Sequence, residues 1–192
     1  MIIARVAAPA VDALSVSDVK AQLRVTSSAE DAQIATIIEA VLSHVDGLGT
    51  LGRAMVTQDW AQWVSQSPGT VTLRMGPFQS LVSVQYYDTD NALQTATLSD
   101  FETRLAGDFV TIAPKSGYSW PAAYTRPDAI KITYRAGYGD AAADVPGSIR
   151  MAMLMLSSHL YQNREAVTET ALTVTPMAVD MLLNNHRVSW YG

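Results

Sequence analysis

The chain has 192 residues, of which 48% are hydrophobic and 16% charged, with a formal net charge of −5 and no cysteine. This length allows one domain or two small modules, and the composition excludes a disordered chain and a disulfide-held scaffold. A strongly cationic nucleic-acid binder is excluded as well, because the thirteen Lys and Arg residues are scattered along the chain.

The low charged fraction is itself informative. Soluble domains carry about 25% charged residues, and this chain carries 16%. We therefore expect part of its surface to be buried against copies of itself or against partners.

The N-terminal residues lack the order of a secretory signal, because Arg5 lies inside a short apolar run rather than before a longer one. The apolar run 151–156 is far shorter than the ~20 residues that span a bilayer. We expect a protein that is made and kept in the cytoplasm and has no membrane partner.

Helical periodicity is the main signal in residues 1–53. A short helix capped by Ser17 is predicted first. A longer helix follows a capping box formed by Ser28 and Asp31 and ends at Gly47. Its apolar stripe consists of Ile34, Ile37, Ile38, Val41, Leu42 and Val45. We assign residues 1–53 to the N-terminal helical part of a core.

Strand patterns replace the helical period in residues 54–145. Runs of β-branched and aromatic residues, each ended by turn residues, predict strands over 56–64, 70–74, 81–87 and 129–135. Shorter strands are predicted over 93–98 and 109–112. We assign residues 54–145 to an inserted, mainly antiparallel β module.

Helical patterns return after Pro146, which suits the first turn of a helix. The run 151–156 is apolar nearly all round and predicts a helix buried on more than one side. A short helix from 175 to about 185 completes the helical core over 146–186, and residues 187–192 form a C-terminal tail. The fold class predicted for the whole chain is α+β.

Motifs for metal, cofactor or nucleotide chemistry are absent from the sequence. His44, His159 and His186 are each alone on their segments, and no cysteine is available for zinc. The pair Gly137 and Gly139 lacks the third glycine of a dinucleotide site. We predict no cofactor, no metal and no catalytic residue.

Two other functions stay open at this point. A hydrolase would need two carboxylates brought together by folding. A carbohydrate- or receptor-binding protein would need aromatic rings on one surface. The candidates for such a surface are Trp60, Trp63, Tyr86, Tyr87, Tyr118, Trp120 and Tyr124.

Several longer motifs occur along the chain in a fixed order. They are LSVSDVKAQLR (14–24), EDAQI (30–34), GRAMVTQDW (52–60), GPFQSLVSV (76–84) followed by QYY (85–87), YSWP (118–121), RPDAIKITYRAGYG (126–139), VPGSIR (145–150) and HLYQNRE (159–165). These motifs, together with the order of the predicted elements, resemble the head-tail connector (adaptor) proteins of long-tailed double-stranded DNA phages and gene transfer agents. The resemblance covers about residues 14 to 165.

This resemblance implies a non-enzymatic structural protein that forms a ring, usually of twelve copies, between the portal protein and a stopper or tail-proximal protein. The location implied is the neck of the particle, after assembly in the bacterial cytoplasm. In such connectors the C-terminal segment reaches the portal. That implies portal binding by Arg187, Val188, Trp190 and Tyr191, residue types that dominate interface energies.

The net charge is consistent with a conduit for DNA. Twelve copies at −5 each would carry −60, and acidic walls do not attract a phosphate polymer. We expect DNA to pass through the ring without specific binding.

Overall fold

A computed structural model of the chain describes residues 2–66, 68–106, 109–163 and 177–188. The chain divides into two compact units, each built from two separate stretches of sequence. The sheet unit comprises Met1–Ala10 and Thr57–Gly137, and the helical unit comprises Val11–Val56 and Tyr138–Gly192. The predicted α+β class is confirmed. Within the described stretches, no helix has the length and apolar character needed to cross a membrane.

The described part of the sheet unit contains two antiparallel sheets. Its strands are β1 (Ile2–Ala7), β2 (Gln58–Val64), β3 (Val71–Leu73), β4 (Phe78–Tyr87), β5 (Leu93–Ala96), β6 (Phe101–Ala106), β7 (Phe109–Pro114) and β8 (Ile130–Ala136). One sheet has the order β1-β2-β8-β4-β5 and the other has the order β3-β7-β6. The strands β2 and β8 lie inside the larger sheet, which explains why both are almost continuously buried.

Two buried polar side chains join the larger sheet to the β3 segment. The Gln62 side chain on β2 donates to the carbonyl oxygen of Thr72 (2.8 Å) and accepts from the backbone N–H of Arg74 (3.2 Å). The hydroxyl of Tyr134 on β8 accepts from the backbone N–H of Met75 (3.0 Å). Both side chains are fully buried, so each one satisfies backbone groups that water cannot reach.

The N-terminal residues differ from the helical assignment made for residues 1–53. Residues 2–7 form the edge strand β1, which pairs with β2 in antiparallel register from Ile2 opposite Trp63 to Ala7 opposite Asp59. A six-residue run of mostly apolar residues has neither a helical nor an alternating period, so pairing with β2, distant in sequence, decides its structure.

The borders of the β module also differ from the predicted 54–145, because contacts between segments distant in sequence place both ends of this range in the helical unit. Residues 54–56 are buried in the helical unit, and the N–H of Tyr138 donates to the carbonyl of Met55 (2.9 Å). Strand β6 was not predicted, because its run FETRLA mixes charged and apolar residues without regular alternation.

The described part of the helical unit contains α1 (Val16–Leu23), α2 (Asp31–Val45), α3 (Gly147–Gln162) and α4 (Met177–Asn184). The helices α1, α2 and α4 each pack against α3. This arrangement confirms that the apolar run in α3 is buried on more than one side. The predicted stripe of α2 enters the same apolar core, where Ile34 and Val41 are fully buried.

The helix starts differ from the predicted caps by a few residues. Ser15, rather than Ser17, caps α1 and forms a capping box with Asp18. The N-cap of α2 is Glu30, which makes no side-chain capping bond. The carboxylate of Asp31 instead accepts from the Lys20 ammonium group at 2.6 Å, which links the first turn of α2 to α1.

Candidate functional site

The start of the C-terminal tail lies against the helical unit. The backbone N–H of Val188 donates to the carbonyl of Leu51 (3.0 Å), and the Val188 side chain is buried. Just before it, the carbonyl of His186 accepts from Nε of Arg53 (2.7 Å), and Nε2 of His186 lies 2.8 Å from the hydroxyl of Ser148. The tail is therefore fixed at Val188 by contacts within its own unit.

The four predicted portal-binding residues have different surroundings. Val188 packs inside the helical unit, whereas the side chain of Arg187 is 43% exposed and lies 3.6 Å from the carboxylate of Asp180. An ion pair this exposed and this long contributes little stability, so Arg187 can exchange its partner. Trp190 and Tyr191 lie outside the described residues.

A second candidate surface is a groove of about 640 Å³ in the helical unit. Its lining comes from the segment before α1, the first turn of α1, the middle of α2 and the segment before α3. The apolar lining includes Val11, Leu14, Val16, Ala35, Ile38 and Ala141, and the four carboxylates are those of Asp12, Asp18, Glu39 and Asp140. We refer to this surface as the acidic groove.

The carboxylates of the acidic groove bear on the hydrolase alternative. A general acid at neutral pH needs a carboxyl group with a raised pKa. The side-chain hydrogen bond from Ser15 instead holds the pKa of Asp18 below its usual range, and Arg150 adds a weaker effect in the same direction. Asp18 also completes the cap of α1. The hydrogen bond from Ser15 therefore disfavours a role for the Asp18 carboxylate as a general acid.

A third candidate surface lies on α4. Met177 and Met181 are one helical turn apart and are 78% and 68% exposed, while Val179 and Leu183 bury the other face of the helix. Two adjacent exposed methionines form a flexible apolar surface suited to a protein partner. We refer to Met177 and Met181 as the methionine stripe.

The aromatic residues proposed for sugar binding do not form one exposed surface. Trp60 and Trp120 are buried, and the Trp120 ring packs 5.0 Å from that of Phe101. The Arg126 guanidinium covers the ring of Tyr87 at 3.9 Å. Tyr118 and Tyr124 remain exposed. The Lys131 ammonium group lies 5.7 Å from the centre of the Trp63 ring. Core packing and two cation–π contacts thus account for four of the seven rings.

The histidines have separate partners. His44 contacts the hydroxyl of Thr50 at 3.0 Å through Nε2, and His159 lies beside Asn163. In the residues that the structure describes, no cluster of three His, Asp or Glu side chains could hold a metal ion.

No protein-family model and no curated protein sequence matches the chain. Solved structures do match over its full length. One chain from the neck of an empty GTA particle, computed with C6 symmetry, has a TM-score of 0.79 at 18% identity. A chain from the virion of a native gene transfer agent (GTA) particle has a TM-score of 0.75 at 19% identity.

A third chain, from the neck of a native GTA particle computed with C12 symmetry, has a TM-score of 0.69 at 16% identity. Each match covers 100% of this chain and 97% of the other. The chain has the fold of these GTA proteins. At the level of fold, this confirms the resemblance inferred from the sequence motifs.

Neither the acidic groove nor the methionine stripe was predicted from the sequence. The groove combines residues near positions 12, 18, 39 and 140, which only the packing of the helical unit brings together. The stripe has a signal in the sequence, since Met177 and Met181 are spaced by four. That signal did not reveal which face of α4 is exposed.

Proposed function

We propose that the protein is a structural component of the neck of a phage-like particle, where copies form a ring between the portal and a stopper or tail-proximal protein. The observation that carries this proposal is the match of the whole chain, with TM-scores of 0.69 to 0.79, to chains from GTA particles, two of them from necks. Both units of the chain have counterparts in that match, since it covers 100% of the residues. The role proposed is non-enzymatic.

The ring is supported by the symmetry of the similar assemblies and by the composition of this chain. The two neck structures were computed with C6 and C12 symmetry, and twelve copies would satisfy both. A ring also gives a reason for a charged fraction of only 16%, because interfaces between copies bury part of each subunit's surface.

Passage of DNA through this ring is supported by the net charge. Twelve copies carry −60 in total, at −5 each, and like charges oppose tight binding of a phosphate backbone. Filter binding of the isolated protein should accordingly detect no tight, salt-sensitive affinity for DNA.

Binding to the portal is proposed for the C-terminal tail. The contact between Val188 and Leu51 fixes the point at which the tail begins, and Arg187 beside it is exposed and only loosely paired. Trp190 and Tyr191 follow in the sequence and supply aromatic side chains of the kind that dominate interface energies.

The neck location is tested by removing the gene from the producing bacterium and complementing it with the wild-type gene. We expect DNA-filled heads without tails in its absence and tailed particles after complementation. Cryo-electron microscopy of the complemented particles should show a ring of this chain below the portal. Tailed particles formed without the protein, or a neck that lacks it, would contradict the proposal.

Portal binding is tested separately with a variant that lacks residues 189–192 and with Arg187→Ala. We expect the deletion to weaken capture of the portal by at least about tenfold, equivalent to about 1.4 kcal/mol, and Arg187→Ala to weaken it less. The matched control is Arg24→Ala, which removes an exposed cation from the same unit and should leave capture unchanged. If the deletion variant captures the portal as well as wild type does, the tail is not part of the portal interface.

A further inference from the structure

An exposed turn after β7 presents a lysine and a tyrosine to solvent. Lys115 is exposed, and Tyr118 is 58% exposed. The backbone N–H of Tyr118 closes the turn by donating to the carbonyl of Lys115 (3.0 Å). Gly117 has a φ of +86°, which favours glycine at the third position of such a turn. We refer to residues 115–118 as the lysine turn.

The lysine turn is fixed at both ends by the sheet unit. The backbone N–H of Lys115 donates to the carbonyl of Asp100 (2.8 Å). Trp120, two residues after the turn, is buried with its ring 5.0 Å from that of Phe101, and its indole N–H donates to the carbonyl of Gly69. A turn held in this way loses little conformational freedom when it binds a partner.

The lysine turn carries an unpaired positive charge. In the described part of the chain, the Lys115 ammonium group makes no ion pair and no hydrogen bond. Lys115 is also the one charged residue in the sequence from 109 to 125. Other cations do have ionic partners, such as Lys20 with Asp31 at 2.6 Å. The charge of Lys115 is therefore available to an acidic partner.

The acidic groove carries unpaired charge of the opposite sign. Asp12, Glu39 and Asp140 are exposed, and none of these carboxylates has an ion pair or a hydrogen bond among the residues that the structure describes. The fourth carboxylate, that of Asp18, lies 3.9 Å from the Arg150 guanidinium. Unlike charges on two surfaces steer the surfaces together and fix their register.

The groove also suits the tyrosine of the turn. Its volume of about 640 Å³ falls within the range of about 300–1,000 Å³ in which pockets enclose bound groups. Val11, which is 46% exposed, and the exposed Ala141 offer apolar contact at its rim. A tyrosine can pack its ring on such groups while its hydroxyl donates to a carboxylate, which is why tyrosine is common at interfaces.

We propose that the lysine turn of one copy docks into the acidic groove of the next copy, so that a head-to-tail contact closes the ring. The Lys115 ammonium group faces the carboxylates of Asp12, Glu39 and Asp140, and the Tyr118 ring lies against the rim. The turn belongs to the sheet unit and the groove to the helical unit, which supplies the two different surfaces that a closed ring needs on each copy. This inference rests on the proposed function, because it specifies the contact from which the proposed ring is built.

The absence of cysteine from the chain allows a direct test by cross-linking in assembled particles. The informative variant combines Ser116→Cys in the turn with Ala141→Cys in the groove, which leaves Lys115 and Tyr118 in place. Oxidation, or a short bis-maleimide where the sulfur atoms are too far apart for a disulfide, should give a ladder of covalent oligomers. Particles that contain a mixture of the two single variants should give covalent dimers and nothing larger.

The matched control combines Ala141→Cys with Ser80→Cys, since Ser80 is an exposed serine on β4 of the same sheet unit. It should give no ladder. A ladder of equal extent from this control, or cross-linking confined to single chains in the informative variant, would contradict the docking contact.

Charge reversal supplies a second measurement. Lys115→Glu places like charges opposite each other and should reduce incorporation into the neck by at least about tenfold, and adding Glu39→Lys should restore most of it. Arg24→Glu, which reverses another exposed cation without an ion pair in the described residues, should leave incorporation unchanged. Circular dichroism of the purified variants checks that these exposed substitutions preserve the fold.

The outcomes separate this inference from the proposed function. Rings seen by microscopy without a cross-linked ladder, or a loss from Lys115→Glu that Glu39→Lys does not restore, would overturn the docking contact and leave the neck proposal standing. Particles whose necks contain no ring of this chain would overturn the proposed function and the docking contact with it.

Discussion

The sheet unit and the helical unit are stabilised in different ways. Among the described residues, the sheet unit buries the polar side chains of Gln58, Gln62 and Thr133 and the hydroxyl of Tyr134, whereas the helical unit buries Ser157. The Ser157 hydroxyl donates to the carbonyl of Met153 within its own helix, while Gln62 links two separate strands. The helical unit thus depends on the fit of apolar side chains, and the sheet unit depends in addition on matched hydrogen bonds.

The largest effect is expected from a cavity in the helical unit. Ile34→Ala removes a fully buried side chain from the core on α2 and should lower the free energy of unfolding by about 2–5 kcal/mol. Urea unfolding followed by helical circular dichroism measures this change. The control is Met177→Ala on an exposed position, which should stay within about 0.5 kcal/mol of wild type. Similar small effects from both variants would show that the helical unit is not held by its apolar core.

A smaller effect is expected from a nearly isosteric change in the sheet unit. Gln62→Leu keeps the volume but leaves the carbonyl of Thr72 and the N–H of Arg74 without this side-chain partner, which should cost about 1–3 kcal/mol. Urea unfolding followed by tryptophan fluorescence measures it, because Trp60, Trp63 and Trp120 all lie in this unit. Gln33→Leu, at an exposed position of α2, is the control. A neutral Gln62→Leu would mean that the sheet unit does not depend on this link.

The smallest effect concerns the cap of α1 and depends on pH. Ser15→Ala should cost about 1 kcal/mol, whereas Ser17→Ala, at the residue first predicted to be the cap, should cost less than about 0.5 kcal/mol. The Ser15 hydrogen bond lowers the pKa of Asp18 in the folded state. The stabilisation by the Asp18 carboxylate is therefore present above the pKa that Asp18 has in the unfolded chain, and it is lost as the pH falls through the lower pKa of the folded state.

The pH dependence is tested by measuring the free energy of unfolding of wild type and of Asp18→Asn at several pH values. The stability difference between them should shrink as the pH is lowered from about 6 to about 2. A difference that is constant over this range would show that the Asp18 carboxylate has no special partner in the folded state. Equal losses from Ser15→Ala and Ser17→Ala would place the cap of α1 elsewhere.

The sequence predicted features that depend on local periodicity. The stripe of α2, the apolar run of α3 and the central strands β2 and β8 were all found, because burial on one or both faces leaves a repeating pattern. Edge strands carry weaker patterns, since their burial is partial. The strands β1 and β6 were missed for that reason. Pairing with the distant strand β2 decides the structure of β1, and pairing with the next strand, β7, decides that of β6.

The candidate surfaces depend on packing rather than on periodicity. The four carboxylates of the acidic groove are spread from Asp12 to Asp140, so no short motif contains them. For the tail, sequence reasoning identified Arg187 and Val188 together, and only the contact with Leu51 shows that Val188 is buried in its own unit. Local signals cannot separate an anchor for a partner from an anchor within the chain.

The path of the chain between its two units has a consequence for synthesis. The chain passes from the sheet unit to the helical unit at residue 11, returns at residue 57 and leaves again at residue 138. Strand β1 must therefore wait until β2 has been translated, and α1 and α2 must wait for α3, more than a hundred residues after α2 begins. The helical unit therefore cannot fold until most of the chain has been translated. A chain released prematurely before residue 147 lacks α3 entirely, so it exposes the apolar face of α2 and can be removed by proteases instead of competing with complete chains.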